Sequence, residues 1–207
     1  MDRLASLFAS LRAGKASGPP THLLVGLGNP GKEYEGTRHN VGFDALDFLA
    51  AQNGADLRQL RFRALCGDAD IAGVRTLLMK PGTFMNLSGE AVAEAVSYYH
   101  IPPGNLIVLC DDVQFPVGKM RIRRKGTHGG HNGLRNIIER LGTDEFPRIR
   151  IGVGKKPHPE YDLADWVLGH FSPPDRKTLQ TLFPDVCAAV ALMLDGKTEQ
   201  AMALYSH

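Results

Sequence analysis

The stretch His22-Leu-Leu-Val-Gly-Leu-Gly-Asn29-Pro-Gly-Lys-Glu-Tyr34-Glu-Gly-Thr-Arg-His39-Asn40 changes character twice along its length. It begins as a short apolar run, the pattern of a buried strand. It then breaks at Gly26, Gly28, Pro30 and Gly31, residues that force turns and let other groups approach the backbone. It ends in His39 and Asn40, just ahead of a helical pattern. A strand that runs into a polar loop with one histidine presents a general base at the rim of a sheet.

Outward from this stretch, Asn40 is the expected N-cap of a helix reaching about Gln52. Val41, Ala45, Leu46 and Leu49 form its core face and Gly54 stops it. Arg61 to Ile71 and Val74 to Met79 read as two strands joined at Ala72-Gly73. Lys80 to Asn86 is a second turn-rich loop. It feeds a helix with Leu87, Ala91, Ala95, Val96 and Tyr99 on one face, and Pro102-Pro103 blocks its continuation. Leu106-Ile-Val-Leu-Cys110 is a second fully apolar run, expected as a central strand, and it ends in Asp111-Asp112. Lys119 to Lys125 is strand-like and dense in cations. Gly126 to Gly133 is a flexible loop ahead of a helix carrying Leu134, Ile137, Ile138 and Leu141. Arg148 to Val153 alternates as a strand with one buried face. The end of the chain reads as a helix from about Pro174 to Leu194, kinked or broken at Pro184, then a short helix after Gly196. Strands alternating with helices predict one α/β domain over residues 21–207, a mixed twisted sheet flanked by helices in a three-layer sandwich. Residues 1–20 read as a loosely attached arm. Leu4, Leu7, Phe8 and Leu11 have helical spacing, and a Gly/Ser/Pro linker follows them.

Composition narrows the function. The chain has 207 residues, 43% hydrophobic and 22% charged, with a net charge of +2, so any attraction to nucleic acid must come from how charge is distributed. No uninterrupted apolar run approaches the ~20 residues of a membrane span. Cys66, Cys110 and Cys187 have no CxxC spacing, which points to a reducing compartment and no structural zinc.

His39 and Asp111 are the candidate catalytic pair. An acid after an apolar central strand lies at that strand's carboxyl end, where open α/β sheets place ligands. If the two strands are parallel neighbours, the His39 loop reaches the same rim. A carboxylate accepting from one imidazole N–H leaves the other nitrogen free to take a proton from water. No nucleophile elbow occurs, so water is the expected attacker. Asn29, Asn86 and Asn132 can hold an ester or amide and its developing oxyanion without adding charge; Asn86 and Asn132 could equally be helix N-caps. His128-x-x-His131 lacks a third ligand, and its glycine-rich loop suits a lid better than a metal site. Lys119, Arg121, Arg123, Arg124 and Lys125, with Arg148 and Arg150, form either a solvated edge strand or a phosphate track. Tyr34 and Phe84 could stack on exposed bases or simply pack. Gly26-Leu-Gly28-Asn-Pro-Gly31 matches a dinucleotide fingerprint, but helical periodicity resumes only after Asn40, too late for a helix N-terminus to meet a pyrophosphate.

Taken together, Val-Gly-Leu-Gly-Asn29-Pro-Gly-Lys-Glu-Tyr34, Thr-Arg-His39-Asn40-Val-Gly, Thr-Phe84-Met-Asn86-Leu-Ser-Gly, Asp111-Asp112, His128-Gly-Gly-His131-Asn132-Gly-Leu and Phe146-Pro-Arg-Ile-Arg150-Ile-Gly-Val-Gly resemble the bacterial-type peptidyl-tRNA hydrolase family over about residues 22–205. The resemblance implies hydrolysis of the ester between peptide and tRNA, with His39 as proton acceptor and Asp111 stabilising its basic form. It implies that Asn29 distinguishes an N-blocked aminoacyl group from a free one. It further implies that Tyr34, Phe84, Asn86 and Asn132 contact the 3′ CCA end and its cargo, and that Arg123 and Arg150 hold acceptor phosphates. No metal or organic cofactor is implied, and the expected protein is a cytoplasmic monomer without a membrane role. Cys110 and Gln114 stand where the family often has His and Asp. The alternative is a non-catalytic RNA-binding relative of the same fold, like the plant splicing factors that resemble this family.

Overall fold

The computed structural model describes residues 18–206. The helical spacing of Leu4 to Leu11 lies outside them. β1 (His22–Gly26) leads to α1 (Val41–Gln52), and then to β2 (Gln59–Arg61), β3 (Ala64–Ile71) and β4 (Val74–Pro81). α2 (Ser88–Tyr99), β5 (Leu106–Asp112), β6 (Met120–Arg123), α3 (Asn132–Leu141) and β7 (Arg148–Gly152) follow. α4 (Leu163–Leu168), α5 (Pro173–Leu194) and α6 (Thr198–Tyr205) close the chain. The strands form one sheet in the order β2-β3-β4-β1-β5-β7-β6. β1 pairs in parallel with both β4 and β5, and β5 with β7, while the outer pairs are antiparallel.

The continuous apolar runs expected of central strands are explained by burial on both faces. Leu24, Leu78, Ile107 and Leu109 pack with Leu46, Leu49 and the α5 residues Val186 and Val190. Leu23, Val25, Leu77, Val108 and Cys110 pack on the other face with Ala91, Ala95, Leu134 and Ile137 of α2 and α3. Two cores back to back give the three layers. The chain leaves β1 for β4 on one side and returns to β5 on the other. A crevice opens where connections diverge in this way, outside the carboxyl ends of the strands.

Four readings of the sequence need correction. The strand expected from Arg61 is a hairpin: Phe62 and Arg63 have φ of 54° and 52° and turn β2 onto β3. Pro184 does not break α5, which runs through it. The flanking Leu182, Phe183, Val186 and Cys187 are buried, and their packing offsets one lost backbone hydrogen bond. By length and composition α5 could cross a membrane, but much of it is core packed on the sheet. Asn40 and Asn132 do not cap helices with their side chains. Asn40 is diverted to the β1 loop, and His131 takes the cap of α3.

Candidate active site

The site begins with the pairing of β1 and β5. Gly26 lies opposite Leu109, and the Leu27 amide donates to the Leu109 carbonyl at 2.9 Å. The carboxyl ends of the two strands therefore emerge side by side. α1 then folds directly over them. A Cβ at Gly42 would stand 2.5 Å from the Leu109 oxygen and 2.6 Å from the Leu27 oxygen, closer than any side chain tolerates. This contact holds the turn Arg38–Asn40, at the head of α1, over Asp111.

His39 Nδ1 lies 2.7 Å from Asp111 Oδ1. His131 Nε2 lies 3.0 Å from the same oxygen. The tautomer of His131 follows from its neighbours. Its Nδ1 accepts from the Gly133 and Leu134 amides at 3.1 and 3.3 Å, so its Nε2 carries the hydrogen and donates to Asp111. A carboxylate likewise requires a hydrogen on His39 Nδ1, which leaves His39 Nε2 as a free acceptor. Burial alone would raise the Asp111 pKa, but His39 and His131 beside it hold the carboxyl well below the usual carboxylate range. For His39, burial pushes the pKa down, and the charge and hydrogen bond of Asp111 outweigh it, so the pKa is raised above 6.5.

His39, Asp111 and His131 could in principle hold a metal, since one ligand atom from each lies within 4.8 Å of the others. Both nitrogens of His131 are already engaged in hydrogen bonds, however, so the trio is built as a proton-holding network. His128 takes no part: its Nδ1 accepts from the Gly130 amide.

The cleft around these groups encloses about 560 Å³. Asn29 is buried in its wall. Its backbone exchanges two hydrogen bonds with the Asn40 side chain, at 2.8 and 2.9 Å. Its Oδ1 accepts from the Met85 amide at 2.8 Å, which turns its NH₂ group toward the cleft. Asn86 and Asn132 are exposed on the same cleft. Phe84, half-exposed, meets Tyr34 edge-on at 6.3 Å, so the two turn-rich loops do converge. The sequence reading missed one wall altogether: Leu163, Ala164, Val167 and Leu168 of α4. Its signal was Asp162, whose side chain caps α4, hidden between the Pro/Gly-rich residues 154–160 and a short helix.

The cations divide into three groups. Arg148 is not on a track. It is buried and donates to the Gly126, Thr127, Asp144 and Phe146 carbonyls, anchoring the glycine-rich loop. Arg124 and Lys125 pair with Glu199 and Glu145 on the surface. Arg121, Arg123 and Arg150, with Lys125 and the buried Arg148 also at its edge, line a second hollow of about 260 Å³, which shares Asp112, Gly129 and Arg150 with the catalytic cleft. There Arg150 Nε is fixed by Asp112 Oδ2 at 2.7 Å, while Arg121 lies over the Phe115 ring. The two departures from the family pattern leave His39 untouched. Cys110 faces the α2/α3 core, and Gln114 meets the Asp112 carboxylate through its backbone amide.

Likeness to known proteins runs over most of the chain. A family profile described as Peptidyl-tRNA hydrolase matches residues 23–207. The chain is 51% identical over 177 residues to the peptidyl-tRNA hydrolase of Alkaliphilus oremlandii, a match covering 84% of this chain and 94% of that protein. It is 48% identical over 180 residues to that of Clostridium novyi, covering 87% and 95%. The crystal structure of peptidyl-tRNA hydrolase from Acinetobacter baumannii superposes with a TM-score of 0.84 at 34% identity, covering 92% of this chain and 99% of the other.

Proposed function

The chain belongs to the peptidyl-tRNA hydrolase family, and on that premise we propose how its cleft carries out the reaction. The enzyme hydrolyses the ester that joins a peptide to tRNA. His39 Nε2 removes a proton from water as the water oxygen adds to the ester carbonyl. The protonated imidazole returns that proton to the ribose oxygen as the carbon–oxygen bond breaks, releasing peptide and tRNA. Asp111 holds the required tautomer and stabilises the transient imidazolium, and His131 holds Asp111. The NH₂ groups of Asn29 and Asn132 are donors for the carbonyl oxygens of the cargo, including the one that gains charge. Asn29 favours an N-blocked aminoacyl group over a free amine, and Asn86 contacts the tRNA-borne cargo. Tyr34 and Phe84 stack on the CCA bases, while Arg123 and Arg150 hold acceptor phosphates in the adjoining hollow.

Residues 21–207 form the catalytic unit on this reading, and it acts as a monomer. Three buried, unpaired cysteines suit a reducing cytoplasm. The observation that carries the mechanism is the 2.7 Å contact between His39 Nδ1 and Asp111 Oδ1 in the wall of an open cleft. That intact pair favours turnover over RNA binding alone. Single-turnover hydrolysis of an N-acetylated aminoacyl-tRNA tests it: His39→Ala should lose the chemical step yet bind tRNA with unchanged affinity. Near-normal turnover by this variant would remove His39 from its role.

A further inference from the structure

Arg38 precedes the base in sequence and takes no part in the mechanism above. Its guanidinium carbon lies 3.6 Å from the centre of the Trp166 ring and 5.6 Å from that of Phe171. Its Nη1 donates to the Trp166 carbonyl at 3.3 Å. Its backbone N–H donates to the Gly169 carbonyl at 3.0 Å, and Thr37 bridges His170 in antiparallel fashion. A Cβ at Gly169 would stand 2.8 Å from Arg38 Nη1, so the backbone there closes tightly on the guanidinium. Trp166 is itself tethered, donating its indole N–H to the Gly154 carbonyl at 2.9 Å.

These contacts matter because of what α4 does on its other side. Leu163, Ala164, Val167 and Leu168 form the apolar wall of the catalytic cleft. A six-residue helix has no stability of its own, so its position comes from tertiary contacts. Leu163 and Leu168 remain 44% and 38% exposed, so within the wall only Val167 is held by burial and the rest of the anchoring comes from elsewhere. Arg38 supplies a flat, charged plate against Trp166. Among the described residues its Nε is buried without a partner, a cost that a freely solvated arginine would not carry. The residue that precedes His39 therefore fixes the wall opposite it.

We propose that Arg38 is a positioning residue that holds the α4 wall at a set distance from His39, and so determines how the acyl part of the substrate is seated. The inference rests on the hydrolase reading of the cleft and adds to it a coupling between wall and base. Its signature is a loss in KM that depends on the acyl side chain, with no shift in the pH dependence of kcat.

The test uses the full chain and two substrates, N-acetyl-phenylalanyl-tRNA and N-acetyl-glycyl-tRNA. Arg38→Gln should raise KM for the phenylalanyl substrate by roughly three- to thirty-fold, the range expected of a partly shielded cation–π contact, and raise it much less for the glycyl substrate. The ascending limb of the kcat–pH profile should not move. Arg38→Lys keeps the charge but not the flat stack and should fall between wild type and Gln. Trp166 is the only tryptophan in the chain, so acrylamide quenching of its fluorescence reports directly on α4 and should increase in Arg38→Gln. Trp166→Leu should give the same substrate-dependent split in KM, which keeps the test available if Arg38→Gln does not fold. Equal loss of kcat on both substrates with KM unchanged would mean structural damage alone and would overturn the proposal, as would unchanged quenching. Failure of the wild type to cleave either substrate would instead overturn the hydrolase reading, before any variant is compared.

Discussion

Replacing Asp111 with Asn removes one charge and almost no volume, so its effect on catalysis can be worked from the structure. In the transition state His39 becomes an imidazolium whose Nδ1–H points at Oδ1 from 2.7 Å. Two unit charges about 4 Å apart at an effective dielectric near 20 attract by about 4 kcal/mol. Part of that survives in Asp111→Asn. His131 Nε2–H, held in its tautomer by two backbone amides, still selects the carbonyl oxygen of the new amide, so that oxygen can also accept from His39. The variant keeps the right tautomer and loses mainly the charge. The expected cost is roughly 2–4 kcal/mol, or about 30- to 1,000-fold in kcat/KM. Where the tautomer of a catalytic histidine is lost as well, the penalty is nearer 10⁴-fold. The sign of the pH effect follows from the raised pKa of His39. Wild-type activity should climb along a limb above pH 6.5, as His39 loses its proton. Without the carboxylate, burial is the main influence left and the limb should move to lower pH. The deficit of the variant is thus smallest at acid pH and grows to a plateau as pH rises through the wild-type limb. Single-turnover cleavage of an N-acetylated aminoacyl-tRNA between pH 5 and 9 measures both quantities. A limb that stays in place, or a rate within a factor of three of wild type, would show that Asp111 does not act through the imidazole.

Arg123→Ala should weaken tRNA binding and reduce the log–log salt slope by about 0.7–0.9, one phosphate contact; an unchanged slope in a filter-binding titration would dismiss the track. Arg148→Leu leaves the Gly126, Asp144 and Phe146 carbonyls unpaired and should cost about 3 kcal/mol, seen as a Tm lowered by roughly 6–12 °C. A fall of only a degree or two would count against its anchoring role. Asp44, at the start of α1, has its pKa pushed up to about 6 by burial and by the neighbouring Asp47. The folded state therefore holds a proton that the unfolded chain releases between about pH 4 and 6, and stability declines across that window. Asp44→Asn should flatten that decline and add about 1 kcal/mol at pH 8, after discounting for partial exposure and a lost helix-dipole contact. Denaturant melts at pH 4.5 and 8 check the sign, and a variant less stable at pH 8 would refute it.

How much of this was legible depends on whether the signal was local. The apolar runs of β1 and β5 were readable because strands buried on both faces cannot afford polar interruptions, and they placed His39 and Asp111 on one rim. Asn29 was readable as a polar group in a tight loop. Its orientation was not, because it is set by Met85 and Asn40, which are distant in sequence. The alternation at Arg148 and Arg150 looked uniform. One arginine turned inward to a nest of carbonyls and the other to Asp112, a difference made by loops that periodicity does not see. His131 was legible only as part of a glycine-rich lid loop, because its partners are an acid twenty residues away and the first turn of its own helix, neither of which the His128-x-x-His131 spacing shows.

The two histidines on Asp111 also explain why one carboxylate suffices. Nδ1 of His131 is filled by two backbone N–H groups and its Nε2 is committed to Asp111, so this ring has no lone pair left for the cleft. Nδ1 of His39 is committed in the same way, but among the described residues nothing occupies its Nε2. The asymmetry comes from helix geometry. His131 is the N-cap of α3 and must satisfy the free amides there, whereas His39 sits in a short turn that bonds to its neighbours through the backbone. A second acid in place of His131 would repel Asp111 and push a proton onto one of them. A neutral donor locked by a helix start steadies the carboxylate without charge and leaves the full anionic field for His39. On this reading His131→Asp should be more damaging than His131→Asn, although the acid is the more usual companion of a catalytic histidine. Equal activities for the two variants would show that the donor at residue 131 is replaceable and that Asp111 is held by other means.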